Sequence, residues 1–68
     1  MITFVVLFYN HKGDVDEISS WTNKGQGDRL PPRYYTYEPM IKNAVASKIE
    51  AFAVVGGTKF LLWNLENV

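Results

Sequence analysis

The sequence predicts an α+β domain: a small mixed or antiparallel sheet of three to four strands, with two short helices packed on it. Three observations lead there. The run from Ile2 to Tyr9 is β-branched, aromatic or apolar at nearly every position, and a Gly56-Gly57 pair divides 51–65 into two further runs of that kind. Between them, 15–24 and 39–49 space their apolar residues at helical intervals.

Each element has its own warrant. Ile2-Thr3-Phe4-Val5-Val6-Leu7-Phe8-Tyr9 offers apolar side chains to both faces, which suits a central strand covered on both sides. Asn10-His11-Lys12-Gly13 reads as a turn. Asp14 with Glu17 forms a capping box, since each side chain can satisfy an orphan N–H of a first helical turn. Asp16 adds charge where a helix dipole is positive, Val15, Ile18 and Trp21 make a stripe, and Lys24-Gly25 fits a stop, so 15–24 is expected to be helical.

Residues 25–33 form a loop rich in Gly and Pro. Tyr34-Tyr35-Thr36-Tyr37 has strong β-propensity and is expected as a short edge strand, 34–37, because prolines lie on both sides. Pro39 suits the first position of a second helix, 39–49, whose stripe is Met40, Ile41, Ala44, Val45 and Ile49. The clearest local signal is a hairpin of strands 51–55 and 58–65, with Gly56-Gly57 supplying the positive φ angles of a two-residue primed turn. Simple alternation puts Trp63 on one face with Leu61 and Leu65, and Phe60 and Leu62 on the other.

Sixty-eight residues make one domain, 1–68, with a thin stability margin. The chain has no Cys, which removes a disulfide framework and every thiolate metal site. With 47% hydrophobic and 15% aromatic residues, it must be held by large side chains or in part by a subunit interface. Seven basic and seven acidic residues cancel. Zero net charge argues against a phosphate-binding face and favours self-association, so a homodimer stays open. The run 2–9 lacks a basic leader region and is too short to span a bilayer, so a cytoplasmic location without membrane attachment is the expectation.

The chemistry-bearing residues are few. His11, Asp14, Asp16 and Glu17 could in principle hold a hard metal, but they lack the alternating spacing of a calcium loop and are accounted for by turn and cap roles. The one histidine and Ser19, Ser20 and Ser47 fall outside any nucleophile pattern. Gly25-Gln26-Gly27 and Gly56-Gly57-Thr58-Lys59 lack the strand-to-helix setting a phosphate cradle needs. No catalytic, metal or cofactor residue is therefore assigned, and the chain is not expected to be an enzyme.

One stretch points outward. Arg29-Leu30-Pro31-Pro32-Arg33-Tyr34-Tyr35-Thr36-Tyr37 carries two guanidinium groups, two prolines and three tyrosines without a carboxylate. Arg and Tyr are enriched at protein interfaces, and a Pro pair stiffens the backbone that presents them. Arg29, Arg33, Tyr34, Tyr35 and Tyr37 are thus the expected partner-binding residues, with at least one tyrosine exposed. The expectation is a non-enzymatic regulator or inhibitor that binds a larger protein complex. A phage- or mobile-element-encoded modulator of a host enzyme such as RNA polymerase is one concrete form, suggested by small size and missing chemistry. The alternative is a nucleic-acid-binding module that uses Arg29, Arg33 and the tyrosines to pair phosphates and stack bases.

Overall fold

A computed structural model of the chain describes residues 1–23 and 30–66. Among these residues it is an α+β domain with a four-stranded antiparallel sheet and one helix. Strands β1 (Ile2–Tyr9) and β2 (Val15–Asn23) are followed by helix α1 (Tyr34–Lys42), then β3 (Lys48–Val55) and β4 (Thr58–Glu66). The strand order is β2-β1-β3-β4, so β1 and β3 are central and β2 and β4 are the edges.

Directly opposed residues in an antiparallel sheet share a face. Register therefore sets Phe4, Val6 and Phe8 on one face with Trp21 and Ser19 of β2 and with Ile49, Ala51 and Ala53 of β3. That is the covered face. Val6, Ile49 and Ala51 are completely buried there, Ala46 closes over them, and Tyr37, Met40 and Ile41 of the helix pack from above. The helix lies over β3 and β4. Among the described residues only one face is layered, although the central strands are apolar on both; on the other side Phe52 is buried among its neighbours, but Ile18 and Leu61 are more than half exposed.

Two of the expected helices and one expected strand are corrected. Residues 15–23 form β2, paired along its length with β1. The spacing of Val15, Ile18 and Trp21 suited a helix, but a bulge at Asp16 puts Val15 and Ile18 on the open face while Trp21 turns to the covered one, against Phe4. Asp14 is no helix cap. It closes the β1–β2 turn, where the Asn10 side chain accepts from the Lys12 and Asp14 N–H groups and Gly13 takes φ +89°. The central strand's demand for a second partner outweighed the capping signature.

Tyr34–Tyr37 is the first part of a helix and not an edge strand. Pro39 sits inside that helix instead of opening one, and the helix ends at Lys42 rather than running to 49. Its C-terminus is a Schellman motif: Val45 N–H donates to the Met40 carbonyl at 2.9 Å and Ala44 N–H to that of Ile41 at 3.2 Å, with Ala44 at φ 56°. Lys48–Val55 is then all strand, which takes Ile49 from the expected helical stripe into the sheet core.

The β3–β4 hairpin lies where the glycine pair places it, with Gly56 at φ 56° and Gly57 at φ 81°, the signs of a type I′ turn. Within β4, a bulge at Leu62 shifts the register between Ala51 and Phe52. As a result Trp63 and Leu65 share the covered face with Phe60, while Leu61 is on the open face, which corrects the simple alternation.

Candidate functional site

Two tryptophans hold the Pro-Pro segment down. A proline pair has carbonyls but no N–H, so its acceptors need donors from elsewhere in the fold, and an indole N–H can only donate. Trp21 Nε1 on β2 donates to the Leu30 carbonyl at 3.1 Å, and Trp63 Nε1 on β4 donates to the Pro32 carbonyl at 3.0 Å. Both rings stand on the covered face, one on each edge strand. The segment from Leu30 to Pro32 is thereby fixed from two sides, and Pro32 is buried beneath it.

Beside this segment opens a cleft of about 440 Å³. Trp21, Leu30, Pro31 and Pro32 form one part of its lining, and Arg33, Tyr35, Thr36 and Tyr37 from the start of the helix form the rest. Among the described residues its lining holds one cation, Arg33, and no carboxylate. The Arg33 guanidinium donates to the Tyr35 hydroxyl at 3.0 Å, which orders an otherwise long, mobile side chain at the rim. Tyr34 and Tyr35 meet edge to face at 5.8 Å between centroids, and both are more than half exposed.

The sequence-predicted residues separate here. Arg33 and Tyr35 stand together at the rim, and Tyr34 beside them lies outside the cleft lining. Tyr37 is a packing residue: its ring lies 5.8 Å from Phe8 and 5.5 Å from Trp63, so it forms the cleft floor and part of the core margin at once. Arg29 falls outside the described residues. The alternation expected for a strand fails because the segment is helical, which sends Tyr34 and Tyr35 out together and Tyr37 in.

Trp21 and Thr36 also line the cleft, and neither was singled out as a binding residue in the sequence. Trp21 read as a core residue on a helical stripe. The signal that could have flagged it is chemical: Pro-Pro leaves carbonyls without local donors, and Trp is a donor that can also wall a groove.

A second polar cluster lies on the open face. Tyr9 donates its hydroxyl to Glu50 Oε1 at 2.5 Å, and Lys48 pairs with the same carboxylate at 3.7 Å while lying 5.1 Å above the Tyr9 ring. The hydrogen bond to Glu50, with help from burial and from the carboxylate charge, raises the Tyr9 phenol above its ordinary value of 10.0. His11 Nε2 donates to the Ala44 carbonyl at 3.2 Å, tying the β1–β2 turn to the end of the helix. Among the described residues no group of three or more His, Cys, Asp or Glu is placed to hold a metal ion, and no helix is long and apolar enough to cross a membrane. No family model, curated protein sequence or solved structure matches the chain.

Proposed function

We propose that this chain is a small, non-enzymatic protein-binding regulator or inhibitor, and that the cleft between the Pro31-Pro32 segment and the start of the helix receives its partner. The observation that carries this reading is the double indole anchor at Leu30 and Pro32. It spends the polar edges of both tryptophans on holding one surface segment rigid. A pre-ordered rim loses little entropy on binding, which is where preorganisation raises affinity.

The cleft's chemistry names the kind of ligand. Apolar walls from Trp21, Leu30 and Pro31, with one guanidinium at the edge, suit a peptide segment that inserts an apolar side chain and presents a carboxylate to Arg33. As regulator of a larger complex, the chain would act by occupying such a segment. The form suggested by its size, a modulator that phages or mobile elements encode against a host enzyme such as RNA polymerase, belongs to the same proposal.

Affinity capture from a host extract, in parallel with the wild type, Arg33→Ala and Tyr35→Ala, tests it. A partner held by the wild type and lost by both variants, while both keep the wild-type melting temperature, supports the reading. Each truncation is expected to weaken binding by about 2 kcal/mol, the lower bound of a hot spot. Equal capture by all three proteins places the contact surface elsewhere. The second reading, single-stranded nucleic acid, rests on the exposed Tyr34 and Tyr35 rings beside Arg33. It requires binding that weakens steeply with salt, and fails if an oligonucleotide does not bind even at low salt.

A further inference from the structure

The two edges of the sheet are built differently. β2 carries exposed Asp16 and Glu17, with a bulge at Asp16, and both charge and bulge blunt an edge against further pairing. β4 also has a bulge, at Leu62, but no charged residue in its middle. Phe60, Leu61 and Leu62 follow one another there, exposed at 53%, 54% and 43%, and the strand's charges, Lys59 and Glu66, stand at its two ends. Among the described residues no strand pairs with the outer side of β4.

We infer that this outer edge pairs with the same edge of a second copy of the chain, joining two sheets into one continuous antiparallel sheet about a two-fold axis at Leu62–Trp63. The bulge makes the pairing self-complementary. Lys59 and Glu66 are an odd number of positions apart, which in a regular strand sets them on opposite faces. The extra residue at Leu62 returns both to the open face, where Lys59 lies opposite Val54 and Glu66 opposite Lys48.

Laid antiparallel on its copy about that axis, β4 brings Lys59 opposite Glu66 of the second copy at each end. Phe60 then falls opposite Leu65 of the second copy on the helix-covered face, which gives the half-exposed Phe60 ring an apolar neighbour. Closed two-fold pairing uses one surface twice, so both ion pairs form or neither does. The zero net charge of the chain places no long-range repulsion against this association. No residue of β4 lines the cleft, so the two surfaces are separate.

Sedimentation velocity over a concentration series, at low salt, tests the pairing with a charge swap. Wild type is expected to dimerise. Lys59→Glu alone and Glu66→Lys alone each place like charges opposite each other twice, and each is expected to weaken the dimer about tenfold or more. The double variant Lys59→Glu/Glu66→Lys restores the opposite pairs and is expected to recover most of the loss. Lys59 also lies 4.4 Å above the Phe52 ring, so each variant's thermal melt is recorded, and Glu66→Lys carries the test if Lys59→Glu unfolds. A wild type that stays monomeric at all concentrations overturns the inference. So does a dimer indifferent to both single reversals, or a double variant no better than the singles.

Discussion

Replacing Trp63 with Phe tests whether the indole anchors hold the cleft segment. The substitution keeps an aromatic ring against Tyr37, 5.5 Å away, and removes the N–H that reaches the Pro32 carbonyl at 3.0 Å. Pro32 is buried, so its carbonyl loses a donor that water cannot readily replace. An unsatisfied buried acceptor costs about 1–3 kcal/mol. The smaller ring adds a few tenths more, because Trp63 is only half-buried. A loss of about 2 kcal/mol is therefore expected. A domain of this length has about 3–10 kcal/mol in total, and about 1 kcal/mol moves its melting temperature by about 4–8 °C.

The expected shift is thus about 8–16 °C, with a lower denaturant midpoint and an unchanged m-value. Trp21→Phe is the internal comparison. Its bond to Leu30 is of similar length, 3.1 Å, but lies at an exposed site where water can take the donor's place. It should cost less than half as much. Thermal melts followed by circular dichroism, with urea titrations read from the remaining tryptophan, give both numbers. If Trp63→Phe melts within about 2 °C of wild type, or Trp21→Phe is the more damaging, the anchoring argument is wrong.

Four further outcomes follow from the geometry. Ile49→Ala empties a completely buried site between the sheet and Ala46 and is expected to cost about 2–5 kcal/mol, enough to leave the chain largely unfolded at 37 °C by circular dichroism. Ala44→Gly relieves a non-glycine residue at φ 56° in the Schellman motif and should raise stability by about 0.5–1 kcal/mol in urea titration; a loss would mean the position is not strained. Gly56→Val forces a β-branched residue to φ 56° in the hairpin turn, where a Cβ meets nothing within 4 Å, so its cost of about 1–3 kcal/mol is purely conformational and Gly56→Asn should escape most of it. Tyr9 is held protonated by its bond to Glu50, so its folded pKa lies above the unfolded value of 10.0. That contribution is complete below pH 10.0 and is lost as pH rises through the folded pKa, so Tyr9→Phe should flatten the alkaline fall of melting temperature.

What the residues reveal on their own depends on how local the deciding physics is. The β3–β4 hairpin was legible because its signal is local: two glycines fix the turn, and the turn fixes the register. Strand β1 was legible because its β-branched and aromatic run suits a central strand, but the expected cover on both sides is corrected: burial alternates along it and only the Phe4, Val6 and Phe8 face is covered. Strand β2 was not, since Val15, Ile18 and Trp21 satisfy a helical period and Asp14 with Glu17 imitates a cap. Against that stood weak helix formers throughout, Ser19, Ser20, Thr22 and Asn23, and a turn at Asn10–Gly13 that already proposed a hairpin with β1. A single bulge at Asp16 made the helical stripe and the strand pairing look alike in sequence. The same kind of one-residue slip at Leu62 moved Leu61 off the Trp63 face.

The candidate site was half legible: Trp21 was missed with β2, and the rest of the missing half traces to helix α1. Helix α1 is a helix against its own propensities. It has no side-chain cap at Arg33, no acidic residue in its first turn, and Pro39 inside it, which removes a backbone donor and disfavours helical geometry at Glu38. It ends on a strained Ala44. What holds it is tertiary: Tyr37 wedged between Phe8 and Trp63, Met40 and Ile41 on the core, and His11 bonded to the Ala44 carbonyl. No reading of local preference recovers such an element, because its free energy comes from contacts across the fold. Places where local rules are broken and tertiary contacts make up the difference are where function tends to be found. Here they coincide with the one segment whose residue types point outward, and the helix that breaks the rules is the one that sets Arg33 and Tyr35 at the edge of the cleft.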